Sequence, residues 1–105
     1  MNRQEDKGRS DLLYETILEL KDLDECRRFF SDLCTVAELR AMEQRFEVAL
    51  LLSDGMIYND ILERTGASSA TISRVNRCYT YGTGGYRTVL DRLAGETEDG
   101  PEEGT

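Results

Sequence analysis

Between Arg64 and Leu90 the chain carries four arginines, Arg64, Arg74, Arg77 and Arg87, and no acid, although Asp and Glu supply 21 of its 105 residues. Guanidinium groups clamp phosphates and can bond guanine O6 and N7 in bidentate fashion, whereas carboxylates would repel the same partner. An acidic chain that keeps 27 consecutive residues free of acid has left one stretch open to a polyanion. Within it, Ser68, Ser69, Ala70, Thr71 and Ser73 accompany Arg74 and Arg77. Short hydroxyl and methyl side chains let a helix sit deep in a major groove, Ser and Thr can bond a base edge or a phosphate, and a helix N-terminus adds its own attraction for anions. These seven residues, with Asn59 from the segment before them, are therefore candidate contacts to double-stranded DNA. Thr71 and Ser73, near the helix start, are the expected base readers, and Arg77, further along, is the expected phosphate contact.

The elements that must position these side chains form a helix-turn-helix pattern from Tyr58 to Arg77. Gly66 marks the turn, because redirecting a chain within three or four residues usually needs a positive φ that glycine adopts without a Cβ clash. Ser68 or Ser69 then caps the second helix. Ile61 and Leu62 before the turn, with Ala67, Ile72 and Val75 after it, are the apolar positions expected to lock the two helices together. An αα-hairpin with a solvated polar face shares this pattern, and the acid-free span is what favours a nucleic-acid role over it.

The rest of the chain reads as helix too. Leu12, Leu13, Ile17 and Leu20 recur at helical spacing after Ser10, a plausible N-cap. Asp24 is placed to cap a second helix that buries Cys26, Phe29, Phe30 and Leu33. Thr35 and Glu38 form a capping box opening the longest helix, whose stripe is Leu39, Met42, Phe46, Ala49, Leu50 and Leu52 and whose end is Gly55. A fourth helix is expected over about 57–65, a fifth over 68–79 and a sixth over 85–94, the last with Tyr86, Val89, Leu90 and Leu93 on one side. Tyr79 to Gly85 reads as a glycine-rich connecting turn, in which Tyr79 and Tyr81 either pack or touch a DNA backbone. No Gly-Lys-Ser/Thr follows it to make a nucleotide-phosphate loop. The expected fold is all-α, with about six helices.

Composition bounds the remainder. The net charge of −8 is concentrated in part in the last eleven residues, Gly95 to Thr105, which hold five acids and no base. That acidic tail has nothing apolar to bury and is expected to be disordered, residues 1–9 to be flexible, and 10–94 to form one domain. Its role is solubilising, or regulatory through competition with DNA for the basic face. Without a membrane-spanning run or a hydrophobic signal region, the expected location is the cytoplasm. Cys26, Cys34 and Cys78 lie in no metal-ligand spacing and are expected to be small core residues; neither metal nor cofactor is expected. The chain has no histidine. Nucleophile and phosphate-loop motifs are absent as well, so no catalytic residues are assigned and an enzyme is not expected.

The run Gly66-Ala67-Ser68-Ser69-Ala70-Thr71-Ile72-Ser73-Arg74-Val75-Asn76-Arg77-Cys78, followed by Tyr81-Gly82-Thr83-Gly84-Gly85-Tyr86, resembles the YerC/YecD group of the Trp repressor superfamily. Gln44-Arg45-Phe46 and Gly55-Met56 fit as well, and the resemblance covers residues 10–94. It implies an intertwined homodimer in which the N-terminal and C-terminal helices build one shared core around a helix-turn-helix on each subunit, acting as a transcriptional regulator, in the simplest case a repressor. Two positions depart from the group. Ile57 stands where a Ser or Thr usually caps the fourth helix, and Leu62 stands where alanine usually permits close helix contact. In the Trp repressor itself, tryptophan lies between two arginines and against a glycine; the resemblance matches Arg74 to one arginine, Gln44 to the other and Val75 to the glycine. Gln44 and Val75 thus argue against tryptophan as the ligand, leaving the small-molecule effector, if any, unassigned. The alternative to a DNA-binding regulator is a protein-interaction module whose helix-turn-helix binds RNA polymerase or another regulator.

Overall fold

The computed structural model describes the backbone of residues 3–103 and the side chains of residues 8–96. Six helices follow one another: α1 (Arg3–Ile17), α2 (Leu23–Leu33), α3 (Val36–Ser53), α4 (Tyr58–Thr65), α5 (Ser69–Tyr81) and α6 (Gly85–Glu103). No strand occurs among the described residues, as the all-α expectation requires. The loose ends expected at 1–9 and 95–105 lie for the most part outside the described side chains. No helix among the described residues is long and apolar enough to cross a membrane. The backbone gathers into two compact units that divide between Leu39 and Arg40, within α3.

In the first unit, α1 starts at Arg3 and not after Ser10, which lies inside the helix. Only Gly8 interrupts the good helix formers before it, and one glycine costs about 1 kcal/mol relative to alanine, too little to end a helix alone. α6 likewise runs past Ala94 and Gly95. The cap of α2 is Asp22 and not Asp24. Asp22 Oδ1 accepts the Glu25 amide at 2.8 Å, while Glu25 Oε1 accepts the Lys21 amide at 3.0 Å. Asp24 sits in the first turn, where its carboxylate accepts from Arg28 Nε at 2.9 Å. A capping side chain reaches the amide three residues on, and Asp22 has a glutamate at that spacing to reciprocate.

The capping box of α3 forms as expected. Glu38 N donates to Thr35 Oγ1 at 3.1 Å and Thr35 N donates to Glu38 Oε1 at 2.8 Å. The bond from the Thr35 amide, then that from its hydroxyl, holds the Glu38 carboxyl below its usual range. The stabilisation is therefore present above the ordinary carboxylate pKa and is lost as pH falls through the lowered one.

Cys26, Phe29 and Phe30 are half-buried, the two rings meeting edge to face at 5.4 Å, and Leu33 is exposed. None of the residues in α2 reaches full burial. The cysteines are likewise not core residues: Cys26 and Cys34 are half-buried and Cys78 is exposed. Cys78 lies three positions past Val75, just outside the inward stripe of α5, and one chain does not close over the other two.

The second unit holds the core, made of Val48, Ala49 and Leu51 from α3, Ile61 from α4, Ala67 in the turn, Ile72 and Val75 from α5 and Leu90 from α6. Of the stripe expected on α3, only Ala49 is buried. Leu39 and Leu52 are half-buried, while Met42, Phe46 and Leu50 are exposed. The helix is apolar on two sides, and the core of this unit takes the side carrying Val48 and Leu51. Leu62 is also exposed, so the α4–α5 lock rests on Ile61, Ala67, Ile72 and Val75 alone. On α6, Leu90 is buried, Tyr86 half-buried, and Val89 and Leu93 exposed. Gly55, with φ of +85°, closes α3, and the Met56 amide reaches back to the Leu51 carbonyl at 3.1 Å.

Ile57 occupies the N-cap of α4 in extended conformation with no side-chain hydrogen bond, and it is 64% exposed. Ile57→Ser should therefore supply the missing cap while giving up little buried surface, stabilising the fold by about 1 kcal/mol per chain. Thermal unfolding at matched chain concentration measures this; a melting temperature that stays level or falls would show that the vacant cap costs nothing.

Candidate nucleic-acid interface

The turn between α4 and α5 is held from several directions. Gly66 adopts φ of +72° and ψ of 6° and donates its amide to the Leu62 carbonyl at 3.0 Å. Thr65 Oγ1 donates to the Ile61 carbonyl at 2.7 Å and accepts the Ala67 amide at 3.0 Å. From α3, Gln44 Nε2 donates to the Thr65 carbonyl at 3.3 Å. The sequence reading missed Thr65. Its signal is a hydroxyl residue immediately before the turn glycine, able to bond backward to i−4 and forward to i+2.

Ser68, and not Ser69, caps α5, accepting the Thr71 amide at 3.1 Å. Its hydroxyl also lies 3.1 Å from Thr71 Oγ1. From this start, advancing about 100° per residue, α5 turns Ile72, Val75 and Tyr79 inward and leaves Ser69, Ala70, Ser73, Arg74 and Arg77 on the outer face. All five are exposed, Arg77 near the middle of the face. Neither Arg74 nor Arg77 makes an ion pair or side-chain hydrogen bond among the described residues. Thr71 sits at the edge of the face, half-buried and engaged with Ser68. Asn59 is exposed in the first turn of α4. The structure thus brings the Ser69–Arg77 set onto one surface, with Ser68 and Thr71 serving the cap beside it.

The helical part of α5 extends through Tyr81, so Tyr79, Thr80 and Tyr81 belong to the helix and not to the connecting turn. The first residue after Tyr79 that opposes a helix is Gly82, which is the signal that could have placed this end. The two tyrosines part ways. Tyr79 packs against the core, and Arg87 from α6 covers its ring at 4.5 Å and donates from Nε to its carbonyl at 3.0 Å. Tyr81 projects outward.

Gln44 and Val75 are both committed to the scaffold. Val75 is only 2% exposed, within the core, and Gln44 spends its amide on the turn. Beside Gln44 lies an open groove of about 650 Å³ that also carries Arg40, Glu43, Glu47 and Thr65. Two acids against one base give it no preference for a carboxylate ligand.

A family model described as Trp repressor protein matches residues 9–94. The chain is 54% identical over 88 residues to the uncharacterized protein YerC of Bacillus subtilis (strain 168), covering 84% of each. It is similar to the crystal structure of a TrpR-like protein from Eubacterium eligens ATCC 27750, with a TM-score of 0.82, 49% identity and coverage of 89% of this chain and 96% of that one. A candidate Trp repressor from Staphylococcus aureus gives a TM-score of 0.81 at 40% identity, covering 90% and 96%.

A flat indole between two guanidinium groups needs both faces and an open floor. If the resemblance to the Trp repressor holds at these positions, Gln44 would remove one face and Val75 would raise the floor, and overpacking a snug site typically costs about 1 to 3 kcal/mol. Titration calorimetry with tryptophan should show no binding in the micromolar range. A micromolar isotherm would restore tryptophan as the ligand.

Proposed function

Because the chain belongs to the Trp repressor family, we propose that it is a sequence-specific DNA-binding regulator of transcription, acting as a homodimer with α4 and α5 of each copy as the helix-turn-helix. One observation carries the reading. The outer face of α5 exposes two guanidinium groups with no partner, behind three small residues, in a stretch that holds no acid. Arg74 and Arg77 thus share one exposed face in a segment that has no carboxylate to neutralise them.

On this reading Ser69, Ala70 and Ser73 approach the bases, because small side chains let the helix backbone come close. Arg74 and Arg77 follow the groove toward the phosphates. Ser68 and Thr71 present the first amides of α5, and Asn59 reaches the backbone from α4. The matching family model is described as Trp repressor protein, and repression is the form of regulation we propose here.

Dimerisation follows from what one chain leaves uncovered. Leu12, Leu18, Leu23, Leu33, Met42, Phe46 and Leu50 are all exposed. Covering five such side chains contributes on the order of 10 kcal/mol. The whole stability of a domain is about 5 to 15 kcal/mol, so a lone chain would lack much of it.

Selection from random duplexes should recover a near-palindrome whose half-sites lie about one helical turn apart. Arg77→Ala should weaken every sequence alike and lower the salt slope by about one unit, whereas Ser73→Ala should alter preference at one base pair. Recovery of no enriched motif, together with capture of RNA polymerase, would favour the protein-interaction module instead. The dimer has its own test: the melting temperature should rise with chain concentration. A concentration-independent transition with monomer mass by analytical ultracentrifugation at micromolar protein would exclude it.

A further inference from the structure

We propose that Tyr81 is a further DNA contact, its phenol hydroxyl bonding a backbone phosphate at the outer edge of each half-site; this rests on the reading of α5 as the helix that enters the groove. Tyr81 is 84% exposed, more than any other large hydrophobic side chain among the described residues. Its ring is not a piece of core awaiting cover, because it lies on the outer face of α5, one turn beyond Arg77 and away from the stripe of Ile72, Val75 and Tyr79. Arg77 and Arg74 precede it by one and two turns on the same helix face, a surface suited to an anion rather than to an apolar partner.

The length of α5 says which part of a duplex Tyr81 meets. From Ser69 to Tyr81 the axis advances about 18 Å, at about 1.5 Å per residue. A major groove is only about 12 Å wide, so both ends of a helix crossing it cannot lie on its floor. The end bearing Ser69, Ala70 and Ser73 is the slim one and enters; the end bearing Tyr81 rises to the strand. Tyrosine is among the side chains that bond phosphate oxygens, and such contacts position a protein without reading sequence.

The chain also fixes where the helix stops. Gly82 donates its amide to the Cys78 carbonyl at 2.9 Å, and a Cβ at Gly82 would run into that same carbonyl oxygen. Gly84, with φ of +92°, then turns the chain into α6, and Arg87 ties the end of α5 down through the Tyr79 carbonyl. Tyr81 is thereby held as the last helical residue, with its side chain free.

Fluorescence anisotropy on the selected duplex, across a salt series, compares wild type, Tyr81→Phe, Tyr81→Ala and Arg77→Ala. Both Tyr81 variants should bind about tenfold to a hundredfold more weakly, the range for a lost hydrogen bond to a charged group of about 1.5 to 3 kcal/mol. They should keep the wild-type salt slope and sequence preference, because a neutral phenol displaces no counterion, while Arg77→Ala lowers the slope. Their melting temperatures should match wild type. Replacing the flanking phosphate by a neutral methylphosphonate should weaken wild type and leave Tyr81→Phe unmoved. Wild-type affinity in Tyr81→Phe, or a change of preferred base pair in Tyr81→Ala, would overturn the phosphate contact while leaving α5 as the reading helix. Failure of wild type to bind any duplex would overturn both.

Discussion

The candidate surface depends on the geometry of three residues, Thr65, Gly66 and Ala67. Their turn takes the chain from α4 into α5 with one left-handed residue, and hydrogen bonds tie it to both α4 and α3. The hydroxyl of Thr65 closes the end of α4 and catches the Ala67 amide, while its carbonyl is held by Gln44 from α3. Ala67 is buried at the centre of the angle, where a larger side chain would push the helices apart. Replacing Gly66 would meet no steric neighbour, so what binds that position to glycine is its positive φ alone. Only with this turn in place do the amides and small residues at the start of α5 project from the molecule.

Around the turn the chain builds a core of few residues and leaves its longer helices short of cover. Eight buried side chains, all after Arg40, hold α4, α5, the end of α3 and the start of α6 together. α1 and α2 bury none of their apolar side chains fully among the described residues. The same is true of the second apolar side of α3. That division of labour suits the proposed homodimeric regulator, in which a second copy would cover the remaining apolar surface. It also accounts for how the charge is spread: a net charge of −8 burdens neither the turn nor α5, which have no acid to repel a phosphate.

Elements with a local chemical signature were legible in the sequence. The Thr35–Glu38 box, the left-handed Gly66 and the Ser68 cap each depend on a few adjacent residues, so the pattern and the geometry agree. The misreadings concern what local pattern does not encode. Asp24 and Asp22 both suit an N-cap, and only the partner at Glu25 decides between them. Periodicity marked Leu39, Met42, Phe46 and Leu50 as a core stripe, but a stripe says that a face is apolar, not which chain covers it. Leu62 and the cysteines failed for the same reason. Tyr81 reads as loop in the sequence because three glycines follow within four residues, yet nothing before Gly82 opposes the helix, which therefore reaches it.

Gln44 and Val75 connect this packing to regulation. In a pocket between two arginines and a glycine, a ligand would supply the contacts that set the angle of the reading helix, and its absence would leave that helix free to move. Here the chain supplies the contacts itself. Val75 fills the space at the α5 side, and Gln44 pins the turn from α3 through a neutral hydrogen bond that neither salt nor moderate pH disturbs. With both side chains engaged internally, tryptophan is not expected to shift one conformation over another at this point. In the homodimeric regulator proposed above, control would then fall on quantities that act elsewhere, chief among them the concentration of the chain, which would set the population of the dimer.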